Sequence, residues 1–318
     1  MLKIGVLGAG HLGRIHIKLL KGLTQQYELV GCYDPDKSKA EAMVEKYQIK
    51  AFDSMEDLVE AVDVVNIVTP TVNHFECAAL ALRHEKHIFI EKPVTSTLNE
   101  AQNLMHLAAQ KNVKIQIGHV ERFNAAFAMA SNYIDHPMFI ESHRLAPFNP
   151  RGTDVSVVLD LMIHDIDIIL SLIKSKVKNV HASGVTVVSK NPDIANARIE
   201  FENGCVANLT ASRISLKTLR KSRFFQESGY ISVDFGQSNL EVFKLTKKSK
   251  SNALSIELDN NEKHFDFINP DIEQNNAIEH ELKSFAKSIN ENTQEKVSLK
   301  DGVSALEVAY QILDKINA

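Results

Sequence analysis

The chain has 318 residues, with 36 Lys and Arg against 40 Asp and Glu and a net charge of -4. It is long for one core and too balanced in charge to favour nucleic acid or an anionic membrane, so two domains are expected, with small molecules or further copies of the chain as partners. Cys32, Cys77 and Cys205 are too scattered for a disulfide framework, and none of the 13 histidines stands at zinc-ligand spacing, so no metal is expected.

The first apolar run leads from Leu2 into Gly8-Ala9-Gly10-His11-Leu12-Gly13, the spacing Gly-x-Gly-x-x-Gly. A strand, this turn and a helix over 12–22 would aim free N–H groups and the positive helix end at a dinucleotide pyrophosphate. Gly8 then serves the tight turn, Gly10 the close approach of the ligand, and Gly13 the packing of helix on sheet. A second apolar run over 29–33 ends in Asp34, about 20 residues past the third glycine, where a carboxylate accepts ribose hydroxyls and repels a 2′-phosphate. NAD rather than NADP is the expected cofactor.

Helices over 35–47, 55–61, 73–84 and 98–111 alternate with strands over 50–52, 64–68, 87–90 and 113–117, the second helix opened by a capping box of Ser54 and Asp57. This rhythm predicts a doubly wound parallel sheet of about six strands, with ligands beyond the strand ends. Three of those ends carry unusual residues: Thr69-Pro70-Thr71-Val72-Asn73-His74, Glu91-Lys92-Pro93 and Gly118-His119-Val120-Glu121-Arg122-Phe123-Asn124. Pro93 keeps Lys92 extended at the sheet edge, where it can meet a ligand or pair with an acid.

After residue 123 the rhythm changes, so a dinucleotide-binding domain is expected over 1–123 and an α+β substrate-binding and oligomerisation domain over 124–318. A long apolar helix over 154–170 carries Asp160, His164 and Asp167, which at about 100° per residue share one stripe, with Asp165 away from it. A carboxylate one turn from a histidine can fix its tautomer and raise its basicity, as a general base near neutral pH requires; such a pair can equally satisfy itself. Strands over 138–145, 180–188, 195–201, 205–212, 230–235, 240–245 and 254–258 follow, with a turn at Asn203-Gly204, and predict a mainly antiparallel, open-faced sheet. Helices over 272–289 and 299–316 close the chain. The uncovered sheet face needs a polar surface or a second subunit, and a homodimer or homotetramer is expected. The basic group Arg213, Lys217, Arg220, Lys221 and Arg223 reads as a solvated loop that could otherwise meet substrate phosphates. No basic leader precedes the first strand and no run of about 18 apolar residues occurs, so a cytoplasmic protein is expected.

Together, the glycine fingerprint, Thr69-Pro70 with His74, Glu91-Lys92-Pro93 and Asp160-x-x-x-His164-x-x-Asp167 resemble the glucose-fructose oxidoreductase, inositol dehydrogenase and rhizopine-catabolism (Gfo/Idh/MocA) family along essentially the whole chain. The resemblance implies a Rossmann domain followed by an open-faced α+β domain, and hydride transfer between NAD and a secondary alcohol of a sugar, nucleotide sugar or cyclitol. It implies a catalytic set of Lys92, Asp160 and His164, with Thr69, Pro70, His74 and Glu91 beside the nicotinamide. Within the family, the stretch from Gly118 through Asn124, followed by Asp154 to Asp167, is similar to the branch containing UDP-N-acetylglucosamine 3-dehydrogenases. His119, Arg122, Asp167 and Arg223 are the candidate substrate contacts. Met162 and Ala125 depart from the glycine and proline common in the family; neither change removes a catalytic group. The competing readings are an oxidoreductase of a non-sugar substrate and a non-catalytic NAD-binding sensor, which would need the glycine loop and Asp34 but not Lys92, Asp160 or His164.

Overall fold

Eleven elements alternate through the first part of the computed structural model, which describes residues 1–149, 155–246, 254–258 and 261–318. They are β1 (Leu2–Leu7), α1 (His11–Gly22), β2 (Tyr27–Tyr33), α2 (Lys37–Tyr47), β3 (Lys50–Ala51), α3 (Met55–Glu60), β4 (Val64–Ile67), α4 (His74–Arg83), β5 (His87–Glu91), α5 (Leu98–Ala109) and β6 (Ile115–Gly118). Every strand pair is parallel, in the order β3-β2-β1-β4-β5-β6. Each helix returns the chain to the same end of the sheet, which gives the expected doubly wound arrangement. Helices on both faces explain why β4 is buried at every residue. Ser54 caps α3 by accepting the Asp57 N–H at 3.1 Å.

The remaining elements are α6 (Ala125–Ala130), β7 (Phe139–Leu145), α7 (Ile163–Leu172), β8 (Val177–Val185), β9 (Ile194–Phe201), β10 (Val206–Ser212), β11 (Leu219–Gln226), β12 (Gly229–Asp234), β13 (Asn239–Thr246), β14 (Leu254–Leu258), β15 (Asn261–Ile268), α8 (Ala277–Asn290) and α9 (Leu299–Asn317). Among the described residues, nine strands form the second sheet, in the order β14-β15-β13-β12-β11-β7-β10-β9-β8. Among the described residues of this sheet, only β7 and β10 pair in parallel. Burial alternates along β7 and β9, so one face lies under α7 and the other stays half-exposed. Two strands escape the sequence reading. One is β15; the other is β11, where Arg220, Lys221 and Arg223 belong to a paired strand rather than a solvated loop. Charges are tolerated there because Lys221 and Arg223 meet Glu241 and Glu141 across the half-exposed face.

The chain divides into two units, Met1–Val120 with Asn276–Leu306 and Glu121–Asn275 with Glu307–Ala318. A single boundary at residue 123 assigns α8 to the second domain, whereas the structure returns it to the first. The reason is its apolar face: Leu282, Phe285 and Ala286 join the core of Ile4, Val6, Ile17, Leu20 and Phe89, and Tyr27 donates to the Leu282 carbonyl at 2.8 Å.

Candidate active site

In the first unit the glycine loop is built by contacts that leave no room for side chains. Gly8 has φ of 100° and its N–H donates to the Tyr33 carbonyl at 2.8 Å, a conformation that favours glycine. A Cβ on Gly13 would strike the Gly8 carbonyl oxygen, whereas one on Gly10 would meet nothing within 4 Å. The open side of the loop is therefore at Gly10, with exposed His11 and half-buried Leu12 opening α1 after it. Asp34 Oδ2 accepts the Ala9 N–H at 2.8 Å and Oδ1 accepts the Asp36 N–H at 3.0 Å. The carboxylate thus ties the end of β2 to the glycine loop. Beside it a cavity of about 160 Å³ is lined by Gly8, Tyr33, Pro35, Met55, Thr69 and Cys77, among others. A cradle open at Gly10, an acid at the end of β2 and an adjoining cavity fit the diphosphate, ribose and base of a dinucleotide.

The turns after β4 and β5 meet around one side chain. After β4 a 3₁₀ turn over Thr71–Asn73 leads into α4, and buried His74 lies 2.8 Å from the Pro93 carbonyl and 3.0 Å from the Thr69 carbonyl. Burial pushes the His74 imidazole below its ordinary value, against the opposing pull of the Pro93 and Thr69 carbonyls and of Glu91. His74 thereby links the Thr69-Pro70 turn to the Glu91-Lys92-Pro93 turn. Pro70 is exposed, Lys92 half-buried, and the Lys92-Pro93 peptide is cis. His119, just after β6, is buried.

The second unit presents its ionisable groups on and before α7. Asp154 lies outside the described residues. A π turn over Val158–Met162 precedes α7, so the expected single α-helix is broken just where Asp160 sits. A π turn takes more residues per revolution than an α-helix, which changes the phase between Asp160 and the later residues. Burial accordingly pairs Asp160 with His164, both half-buried, and sets Asp165 with Asp167, both buried. Asp167 receives Arg122 Nε at 2.8 Å and Nη2 at 2.7 Å, and Asp165 receives Arg144 Nε at 2.9 Å and Nη2 at 3.0 Å. Arg144 also donates to Glu121 at 2.7 Å. Arg122 and Asp167, expected at the substrate, are thus engaged with each other, and Arg223 donates to Glu141 at 2.9 Å. The two forks fix the rotation of α7, and with it the direction in which His164 leaves the helix. The sequence signal for this clamp was two acids on an apolar helix and two arginines, Arg122 and Arg144, elsewhere in the same domain. No spacing rule joins them.

Residues 2–119 match the oxidoreductase family with an NAD-binding Rossmann fold, Gfo/Idh/MocA, and residues 114–232 match its C-terminal domain. Over 243 residues, 76% of this chain and 77% of the relative, the sequence is 37% identical to the UDP-N-acetylglucosamine 3-dehydrogenase of Acidithiobacillus ferrooxidans. The chain belongs to the Gfo/Idh/MocA family of oxidoreductases. The solved structure of that Acidithiobacillus dehydrogenase matches 99% of this Gfo/Idh/MocA chain and 97% of its own, with a TM-score of 0.89 and 31% identity. The scyllo-inositol 2-dehydrogenase (NAD(+)) of Bacillus subtilis is 30% identical over 67% of this chain and 68% of its own. The scyllo-inositol dehydrogenase of Lactobacillus casei, solved with NAD(H) and scyllo-inositol, shares the fold at a TM-score of 0.80 and 21% identity. The cofactor of this Gfo/Idh/MocA oxidoreductase is NAD, as its family and its glycine loop indicate.

Proposed function

We propose that the protein oxidises a secondary alcohol of a sugar or nucleotide sugar with NAD, and that C3 of UDP-N-acetylglucosamine is the first substrate to try. The observation that carries this reading is the likeness to the Acidithiobacillus UDP-N-acetylglucosamine 3-dehydrogenase along 99% of the chain. Gly8, Gly10, Gly13, His11 and Leu12 would hold the diphosphate, Asp34 the adenosine ribose, and Thr69, Pro70, His74 and Glu91 the nicotinamide side. NAD supplies the hydride acceptor. His164 would take the hydroxyl proton, Asp160 would orient the imidazole and stabilise its protonated form, and Lys92 would hydrogen-bond the alcohol oxygen as negative charge develops on it. Met162, which departs from the glycine common in the family, is wholly buried in the turn before His164, so its side chain packs into the interior.

Incubation with NAD and a panel of UDP-sugars, aldoses and inositols, read by absorbance of the reduced cofactor, tests the reading. Turnover is expected with UDP-N-acetylglucosamine, and turnover of inositols alone would replace the substrate. His164→Ala should lower kcat about 100- to 10,000-fold with NAD affinity nearly unchanged; near-normal turnover would remove His164 from the role of base.

The same reading includes a homodimer or homotetramer in the cytoplasm. Among the described residues no helix is long and apolar enough to cross a membrane, and the three cysteines are free and buried. A row of rings crosses five neighbouring strands of the second sheet, Phe139, Phe225, Tyr230, Phe243 and Phe267, with centroids 4.8 to 5.8 Å apart. Half-exposed rings in an unbroken row suit burial against a second subunit. Light scattering should return a dimer or tetramer, and Phe225→Glu should shift it toward the monomer.

A further inference from the structure

The helix that would bind the diphosphate buries one imidazole. His16 is inaccessible, shares the inner stripe of α1 with Gly13, Ile17 and Leu20, and packs 5.6 Å from the ring of Phe89. A polar ring in that position is costly unless its nitrogens are met. The Asn66 side-chain nitrogen on β4 lies 3.0 Å from Nδ1; an amide nitrogen only donates, so Nδ1 accepts and the ring proton rests on Nε2. Nε2 in turn lies 3.2 Å from Glu91 Oε1 at the end of β5. The approach is bent away from good hydrogen-bond alignment, so the contact is mainly electrostatic, the positive edge of the ring against a carboxylate. The other Glu91 oxygen, Oε2, accepts the main-chain N–H of Lys92 at 3.2 Å. Gly118 closes the pocket: a Cβ there would come within 2.9 Å of both carboxylate oxygens.

We infer that His16 is a positioning residue for the lysine: its Nε2 edge holds the Glu91 carboxylate against the Lys92 main chain, so that Lys92 stands on a fixed, negatively charged base. Asn66 sets the tautomer, His16 sets the carboxylate, and the carboxylate sets the peptide that carries the amine. The chain of contacts runs from β4 through α1 to the end of β5, entirely within the first unit. The titratable groups facing Glu91 include His16 from α1 and His74 from α4, while Lys92 meets it through its main-chain N–H. Removing the imidazole leaves the buried carboxylate without the positive edge on Oε1, and nothing on that side then keeps Oε2 turned to the Lys92 main-chain N–H. The Lys92 peptide is released, and the amine it carries leaves its fixed place.

The inference rests on Lys92 being a catalytic lysine, and one of its two readouts needs no substrate. Wild type, His16→Leu and His16→Gln are compared, Gln being the variant that returns an N–H near the position of Nε2. The first readout is the labelling rate of Lys92 by trinitrobenzenesulfonate, followed by mass spectrometry. It should change at least threefold in His16→Leu and return to the wild-type rate in His16→Gln. The second is kcat, which should fall about tenfold in His16→Leu with KM for NAD little changed, again restored by Gln. Unchanged labelling in His16→Leu overturns the inference. So does a change in labelling or kcat that Gln does not restore, the mark of a packing role alone. A wild type that binds NAD but oxidises no alcohol defeats the proposed function, and the labelling comparison still decides the role of His16.

Discussion

Asp34 and Asp167 both follow apolar runs and both read from the sequence as groups that face a ligand, yet the structure gives them opposite surroundings. Asp34 accepts two main-chain N–H groups, one from Ala9 in the glycine loop and one from Asp36 beside it, donors that organise the carboxylate without neutralising it. Asp167 is gripped by both arms of the Arg122 guanidinium and is almost wholly buried. The difference teaches that placement in the sequence reports where an acid stands, while the partner reports what its charge is used for. A carboxylate held by main-chain amides still offers its charge to a ligand, whereas one held by an arginine fork is part of the scaffold.

The largest effect that sharpens this comparison is on stability. Replacing Asp167 by Leu leaves the Arg122 charge buried without its carboxylate and should cost about 3–5 kcal/mol, read as a fall in the urea midpoint. The double replacement Arg122→Leu with Asp167→Leu should recover most of that loss, because no uncompensated charge remains. Equal destabilisation of the single and double variants would break the distinction. Asp34→Ala is the opposite case. It should leave the urea midpoint much closer to wild type and raise KM for NAD about 10- to 100-fold, the loss of one charge-assisted contact of about 1.5–3 kcal/mol. The preference for NAD over NADP should erode in the same variant.

A pair of glycine variants extends the test within the first unit. Gly13→Ala forces a Cβ onto the Gly8 carbonyl and should destabilise the fold by about 1–3 kcal/mol. Gly10→Ala meets no neighbour, so it should change stability by less than about 1 kcal/mol while weakening NAD binding at least tenfold by calorimetry. Comparable loss of stability in both variants would mean that the loop is not open at Gly10.

The two units were legible to different degrees for a physical reason. In the first, each element is marked locally: apolar runs for buried parallel strands, a glycine spacing for the turn, Ser54 for a cap, Pro93 for a strand end. Such signals are carried within a few residues, and the strands, the helices and the doubly wound parallel sheet follow from them. In the second unit the information is spread along the chain. Arg220, Lys221 and Arg223 read as loop because their acidic partners, Glu121, Glu241 and Glu141, are distant in sequence. The forks on Asp165 and Asp167 were hidden for the same reason, and the π turn at Asp160 has no spacing signature. His16 did leave a trace, a polar residue on the otherwise apolar stripe of α1, but nothing nearby said that Asn66 and Glu91 would meet it.

Stability against pH distinguishes the units more gently. Burial keeps the His74 imidazole below its ordinary value in the folded chain, so protonation favours the unfolded chain. The contribution of His74 is fully present above the unfolded value of about 6.5 and is lost as pH falls through the lower folded value. His74→Gln should therefore flatten the loss of stability below about pH 6.5, measured as urea midpoints across the acid range. An unchanged slope would mean that the two carbonyl oxygens facing His74 offset its burial.

The smallest effect concerns two thiols, one in each unit. Burial pushes both Cys77 and Cys205 up to about 11, so at pH 8 about one thiol in 1,000 is ionised and both should react slowly with a disulfide reagent. Cys77 lines the cavity beside the glycine loop together with Gly8, Tyr33 and Thr69, whereas Cys205 follows the Asn203-Gly204 turn before β10. NAD should therefore slow labelling of Cys77 severalfold, by filling the cavity and by stabilising the unit that must open to expose the thiol, and leave Cys205 nearly unaffected. Mass spectrometry of the two peptides reads both rates in one sample. Equal protection of the two thiols would mean that the cofactor stabilises the whole chain as one cooperative body, and the division drawn between Asp34 and Asp167 would then be one of local contacts only.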